Sequence, residues 1–506
     1  MAVETELKLR IAPEQLARLK RHALLKAHQL ARPAASRLYN IYFDTPKLEL
    51  HKSAMALRLR RAGRQWLQTL KGGGSVKAGM HQRNEWEMPV SRAALDFSSP
   101  QAAEFEQHLP LALRKKLQPI FVTDFSRTSR MLNWQGAQIE LCMDHGEVRT
   151  EQRSTPICEL ELELKSGEPL QLFDLALELL EIVPFELEAI SKAEQGYRLL
   201  TGHIEKPAKS TTPDIAKKDT LAEALQALIW SCLMHLQGNL RGAMSTDDAE
   251  YLHQMRVALR RLRVVLRMAG KLRADDQLTA LNNDVAALCV ALGRNREWDV
   301  FIAQIAQPMC ARMAGHAGLQ ALLAASERQR NSCYAALRGA AQAHELQRLM
   351  LRFAIWMNGP YWQQQGKAMP TARDFSAHRL QKLFSKFAQS GLHLDTHDAE
   401  RLHSLRILAK KLRYSAEFFS ILYDRQRTKP FLAALSHVQE VLGQINDVAV
   451  AHRLLGDIAA MPELSTHQEA IALVKGWIAH DLSHQFAALR KAVQRFNRQP
   501  AFWEKI

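Results

Sequence analysis

The sequence has few cysteines and pairs none of them by spacing. The six, Cys142, Cys158, Cys232, Cys289, Cys310 and Cys333, form no C-x-x-C. That pattern excludes a disulfide framework and a thiolate metal motif, and it fits inert thiols in a reducing cytoplasm. No uninterrupted apolar stretch approaches the ~18 residues of a membrane span, and the acidic, strand-like start lacks the basic-then-apolar order of a signal peptide. A cytoplasmic protein with no membrane partner is expected. Nucleotide and nucleophile motifs are missing too. Gly72-Gly73-Gly74-Ser75 lacks the G-K-[ST] ending of a P-loop and reads as a mobile connection, and no G-x-S-x-G occurs. Aromatic residues reach only 7%, and Trp66, Trp86 and Trp134 read as core packing rather than base stacking.

What is present is length, an ordinary hydrophobic content and an uneven charge. A chain of 506 residues with 47% hydrophobic residues exceeds one core and predicts two domains. Residues 1–205 carry 28 Lys and Arg against 26 Asp and Glu, so they contribute +2 of the net +16. The remainder holds +14, which calls for a polyanionic partner: nucleic acid, polyphosphate or an anionic membrane. The break lies at Lys206-Pro207-Ala208-Lys209-Ser210-Thr211-Thr212-Pro213, where two prolines among small polar residues read as an exposed linker, residues 203–218.

Upstream of the linker, charge alternates with apolar residues at period two. Glu4, Glu6, Lys8 and Arg10 share one face of a predicted strand while Leu7 and Leu9 face the other way. Arg58 and Arg60, then Glu85 and Glu87, then Glu159, Glu161 and Glu163 repeat the arrangement. Same-face carboxylates repel unless a cation lies between them, and paired guanidiniums call for phosphate or carboxylate oxygens. Together the segments predict a closed sheet with a charged interior, carboxylates for a divalent metal and Arg or Lys for a polyanion.

The E-x-E-x-K start, the R-x-R strand, Lys71, Asp144 in Met143-Asp144-His145-Gly146, Glu161-Leu162-Glu163 and Ser191-Lys192, in this order over residues 1–202, resemble the CYTH superfamily of triphosphate tunnel metalloenzymes. The resemblance implies an α+β domain, an eight-stranded antiparallel β tunnel with flanking helices, that binds a triphosphate with Mg²⁺ or Mn²⁺. On that reading Glu4, Glu6, Asp144, Glu161 and Glu163 hold metal. Lys8, Arg58, Arg60, Lys71 and Lys192 clamp phosphate, with Arg127 and Arg130 as further candidates. Lys8 also counts among the catalytic residues with Glu85 and Glu87, which orient water or a second metal; salt bridges to the arginine strands are the alternative for that pair. Glu159 shares the carboxylate face, its reach to metal left open.

Downstream the pattern is nearly all helical, interrupted by a Gly and Pro patch from Gly359 to Pro370. The patch separates two copies of one motif. His253, Arg256, Arg260 and Arg263 are answered at identical offsets by His403, Arg406, Lys410 and Arg413, and Leu292-Gly293 with Asp299 by Leu442-Gly443 with Asp447. Spacing of i, i+3, i+7 and i+10 is one helix face, and clustered cations there lower stability unless an anion offsets them. The duplication predicts an all-α domain of two repeated bundles, about 219–358 and 371–500. These faces resemble the CHAD domain over residues 219–500, which implies that the eight residues bind inorganic polyphosphate; charge alone gives only a polyanion.

The two resemblances together are similar to bacterial inorganic triphosphatases that join CYTH and CHAD domains. Hydrolysis of inorganic triphosphate to pyrophosphate and phosphate is the leading expectation, with polyphosphate on the helical domain and nucleic acid disfavoured. An organic triphosphate enzyme, either a thiamine triphosphatase or an adenylate cyclase, and a non-catalytic binder of polyphosphate or nucleic acid are the alternatives.

Overall fold

The computed structural model describes residues 2–362, 370–392 and 398–504; most of the Gly359 to Pro370 patch lies outside the described residues. The chain divides into two compact units, residues 1–206 with 344–362, and residues 207–343 with 363–506.

The first unit is built on nine antiparallel strands: β1 (Ala2–Ile11), β2 (Ala34–Asp44), β3 (Met55–Ala62), β4 (Gln65–Lys77), β5 (Met80–Val90), β6 (Gln118–Trp134), β7 (Ala137–Arg149), β8 (Ser154–Ser166) and β9 (Phe185–Leu187). Their order is β5-β4-β3-β2-β6-β7-β8-β1, and β1 also pairs with β5, so eight strands close into a barrel; β9 adds to β1. Helices α1 (Pro13–Lys20), α2 (Ala23–Ala27), α3 (Glu49–Lys52), α4 (Ala103–His108), α5 (Leu111–Arg114), α6 (Pro169–Ile182) and α7 (Lys192–Thr201) belong to the same unit.

Period-two alternation sorts the strands inside out. Leu7, Leu9, Leu57, Leu59, Leu160 and Leu162 are fully buried, and their faces lie under helices such as α6, whose Leu172, Phe173, Leu175 and Leu179 are buried as well. Burying each such leucine contributes roughly 2 kcal/mol, which leaves the charged residues between them facing the lumen. Trp86 and Trp134 are buried and Trp66 packs on the core.

The Gly72–Gly74 run is part of strand β4, not a connection. The register shifts between Gly72 and Ser75, and Gly74 has φ +100 with the position of a Cβ only 1.8 Å from the Gln82 carbonyl oxygen. Only glycine fits such a bulge, so the glycines serve the strand geometry.

The second unit is helical: α8 (Leu221–Ser245), α9 (Ala249–Ala269), α10 (Asp276–Phe301), α11 (Gln307–Arg312), α12 (Ala317–Leu337), the start of α13 (Ala340–Asn358), α14 (Ala372–Leu392), α15 (Ala399–Phe419), α16 (Arg425–Ala459) and α17 (Gln468–Asn497). Helices α9 and α15 are the two copies of the basic motif, and Asp248 and Asp398 cap them alike by accepting the Glu250 and Glu400 amides. The expected linker is tied down from Pro207 onward. The Ala208 N–H donates to Asn239 Oδ1 at 3.0 Å, Ser231 Oγ donates to the Thr211 carbonyl at 3.1 Å, and Ile215 is buried.

Candidate functional site

The barrel encloses a cavity of about 410 Å³, lined by Glu4, Glu6, Lys8, Arg58, Arg60, Lys71, Glu85, Glu87, Arg127, Glu140, Glu161, Glu163 and Lys192. Strand register sets these neighbours: Lys8 faces Glu161 across β1 and β8, Lys71 faces Glu85 across β4 and β5, and Arg127 faces Asp144 across β6 and β7.

Cations and carboxylates alternate through the lumen. Lys8 Nζ donates to Glu6 at 2.9 Å and also to Glu161. Lys192 Nζ lies 2.6 Å from Asp144 and 3.0 Å from Glu161, and pairs with Glu159. Arg127 makes a two-pronged bond to Asp144, at 2.8 and 2.6 Å, and reaches Glu161. Lys71 pairs with Glu4 and sits 3.4 Å from Glu85, while Glu87 accepts from Thr69 at 2.9 Å. Glu163 is drawn to Lys165 at 2.6 Å.

These partners decide the charge states. Burial alone would neutralise Glu6, but Lys8, Lys71 and His81 together outweigh it and bring the carboxyl down to about 2. Burial likewise opposes ionisation of Glu161, yet Lys192, Lys8 and Arg127 hold it well below the usual carboxylate range. At Glu159 burial prevails over Lys192 and Lys8, pushing it up to about 7. Burial and the neighbouring Arg58 and Arg127 lower Arg60 to about 10, and Asn40 Oδ1 accepts from its Nε at 3.0 Å. Arg58 Nε and Nη2 are buried with no hydrogen-bond partner, Glu85 being 3.7 Å away. Buried donors without a partner, where they face a cavity, can take an anion's oxygens.

A cluster of three carboxylates, of which Glu161 lines the cavity, could hold a hard divalent cation. Ligand oxygens of Asp144, Glu159 and Glu161 lie within 4.8 Å of one another, and all three residues are buried. An all-oxygen set suits a hard divalent cation. Glu159 belongs to this cluster; Glu4, Glu6 and Glu163 line the cavity without belonging to it. Arg130 does not line it: its guanidinium donates to Gln29 at 2.7 Å and to the Lys20 carbonyl at 2.8 Å. Phe125, Arg127 and Ser129 face the lumen, so a residue of opposite parity on β6 faces out.

The helical unit holds a second, larger cavity of about 810 Å³, where α9 and α15 contribute His253, Arg256, Arg260 and His403, Arg406, Lys410, Arg413. Arg263 is not part of this lining; Arg261 is, and it pairs with Glu417 at 2.8 Å. The i+10 position falls about 80° from the first residue of the motif, at the edge of the stripe, so the copies differ there. Arg413 is held by Glu417 at 2.6 Å and Gln439 at 3.0 Å. Arg406 donates to Asn446 at 2.7 Å, but its buried Nε has no partner. Burial and then Arg260 lower Arg256 to about 10, and burial with Arg260 and Arg406 lowers Lys410 to about 6. Ser210, Thr211 and Thr212 of the tied-down linker line this cavity, as do Arg296, Gln439 and Asp447, none of which spacing had singled out as ligands.

No helix among the described residues is long and apolar enough to cross a membrane. All six cysteines are free thiols.

Comparison with known proteins also finds two domains, with residues 344–362 of the first unit lying inside the second match. Residues 2–197 match the family model of the CYTH domain and residues 227–456 that of the CHAD domain. The inorganic triphosphatase of Haemophilus influenzae is 35% identical over 209 residues, which is 39% of this chain and 55% of that protein. The chain thus spans about half the length of this curated relative. The crystal structure of the CHAD domain from the plant Ricinus communis superposes with a TM-score of 0.50 at 29% identity, covering 59% of this chain and 99% of that one. The chain therefore carries a CYTH domain joined to a CHAD domain.

Proposed function

We propose that the barrel hydrolyses inorganic triphosphate to pyrophosphate and phosphate with Mg²⁺ or Mn²⁺, and that the basic cavity of the helical unit binds inorganic polyphosphate. The observation that carries the first part is the lumen itself, in which buried carboxylates interleave with buried cations and Arg58 keeps two orphan donors. A protein that only bound anions would gain nothing from so many acidic groups. Asp144, Glu159 and Glu161, with Glu4 and Glu6, would hold the divalent ion, whose chemistry is to neutralise phosphate oxygens and acidify a water molecule. Lys8, Arg58, Arg60, Lys71, Arg127 and Lys192 orient the triphosphate and stabilise charge as the anhydride bond breaks. Glu85 and Glu87 stand on one face of β5, where they can orient the attacking water.

The polyphosphate reading of the helical unit rests on cations that lean on one another and on the unpartnered Arg406 Nε. The test is phosphate release from tripolyphosphate, pyrophosphate, thiamine triphosphate, ATP and long-chain polyphosphate, with Mg²⁺ and then Mn²⁺. Tripolyphosphate should give the highest rate. A dominant rate with ATP that yields cyclic nucleotide would overturn the assignment.

A further inference from the structure

The barrel unit includes residues 344–362, contributed by a segment far along the chain. Gln347 on α13 is 5% exposed, and its Oε1 accepts the Leu187 N–H at 3.0 Å. Among the described strands β9 pairs with β1, and on its other edge the Leu187 N–H is taken up by the Gln347 side chain.

The residues after β9 lead straight into the tunnel. The Glu188 N–H donates to the Lys8 carbonyl at 2.8 Å, and the Glu188 carbonyl accepts from His81 Nε2 at 3.1 Å. Glu188 Oε1 accepts the Ile190 N–H at 3.0 Å, and Ser191 caps the helix that begins with Lys192. Gly79 closes the same corner: its carbonyl accepts the Lys8 N–H at 3.0 Å, and with φ +80 a Cβ there would stand 3.2 Å from the Lys8 carbonyl oxygen. Two tunnel lysines, Lys8 and Lys192, therefore hang on one short segment whose outer edge is held by Gln347.

We propose that Gln347 is a positioning residue for the phosphate clamp, fixing residues 185–192 and through them Lys8 and Lys192. The inference rests on the triphosphatase reading of the tunnel.

In the full chain, Gln347→Leu and the near-isosteric Gln347→Met remove the acceptor. Gln347→Glu keeps an acceptor oxygen whether its carboxyl is charged or neutral. Turnover of tripolyphosphate should fall about tenfold in the first two, the rate equivalent of one ordinary hydrogen bond, and recover in the third. Half-saturating Mg²⁺ should move less than turnover does, because the clustered carboxylates Asp144, Glu159 and Glu161 stand on β7 and β8, which do not pair with β9. Amide exchange over residues 185–192 should quicken in the two acceptor-free variants alone. Wild-type turnover in Gln347→Leu and Gln347→Met, with or without faster exchange, overturns the proposal. A wild-type chain that turns over no triphosphate sinks the tunnel reading and the clamp with it, a result distinct from normal wild-type turnover that the variants leave unmoved.

Discussion

The tunnel and the helical cavity both collect cations, yet, Arg60 of the tunnel apart, the strongest cases in each treat charge in opposite ways. In the tunnel Lys8, Lys192 and Arg127 each touch at least two carboxylates, and their pKa values rise. In the helical cavity burial first, and then the other cations that Arg256, Arg406 and Lys410 face, bring theirs down. Partnered charges of both signs suit a site that takes an anion together with a metal. Mutually repelling cations suit a bare polyanion, whose arrival relieves the repulsion.

The comparison breaks most visibly in the tunnel. Glu6→Gln and Arg60→Ala should each cut phosphate release from tripolyphosphate by at least about a hundredfold, with circular dichroism unchanged; full activity in either would refute the assignment. In the helical cavity, charge reversal at Arg256 and Arg406 should weaken polyphosphate binding about tenfold each and flatten its salt dependence. This is best measured in the Glu6→Gln background, where turnover does not interfere. A preference for duplex DNA over polyphosphate at equal charge would hand the cavity to nucleic acid.

A finer contrast comes from pH. The folded state lowers Lys410 from 10.5 to about 6, so between those values the unfolded chain binds the extra proton and stability rises with pH. The slope is at most about 1.4 kcal/mol per pH unit, and Lys410→Met should remove it from denaturant titrations. Polyphosphate binding should then take up a proton near pH 7 and weaken as pH rises. The smallest effect belongs to Arg130→Ala. It should leave turnover within about twofold while lowering stability by roughly 1 kcal/mol through its lost hydrogen bonds.

The parts legible in the sequence were those with a strict period. Alternation along β1, β3 and β8 put Glu4, Glu6, Lys8, Arg58, Arg60, Glu161 and Glu163 around one lumen, because a strand leaves a side chain only two directions. Parity also separates Arg127 from Arg130, three residues apart, although only the register of β6 says which of them turns inward. A helix is less strict: its stripe drifts, so Arg263 and Arg413 at the end of the motif share an offset but not a surroundings. Ser210 to Thr212 and Gln347 carry no periodic signal at all. Their places follow from where distant backbone happens to pass, as does the bulge that takes Gly72–Gly74 into β4.

The strand that closes the barrel precedes all of its partners in the chain. As the chain emerges from a ribosome, β1 has no partner until β5 arrives, cannot meet β8 until residues 159–163 are out, and gains β9 later still. Contacts so distant in sequence form slowly. With residues 344–362 also part of this unit, the tunnel reaches its finished form only once that segment, far beyond β9 in the chain, has been made.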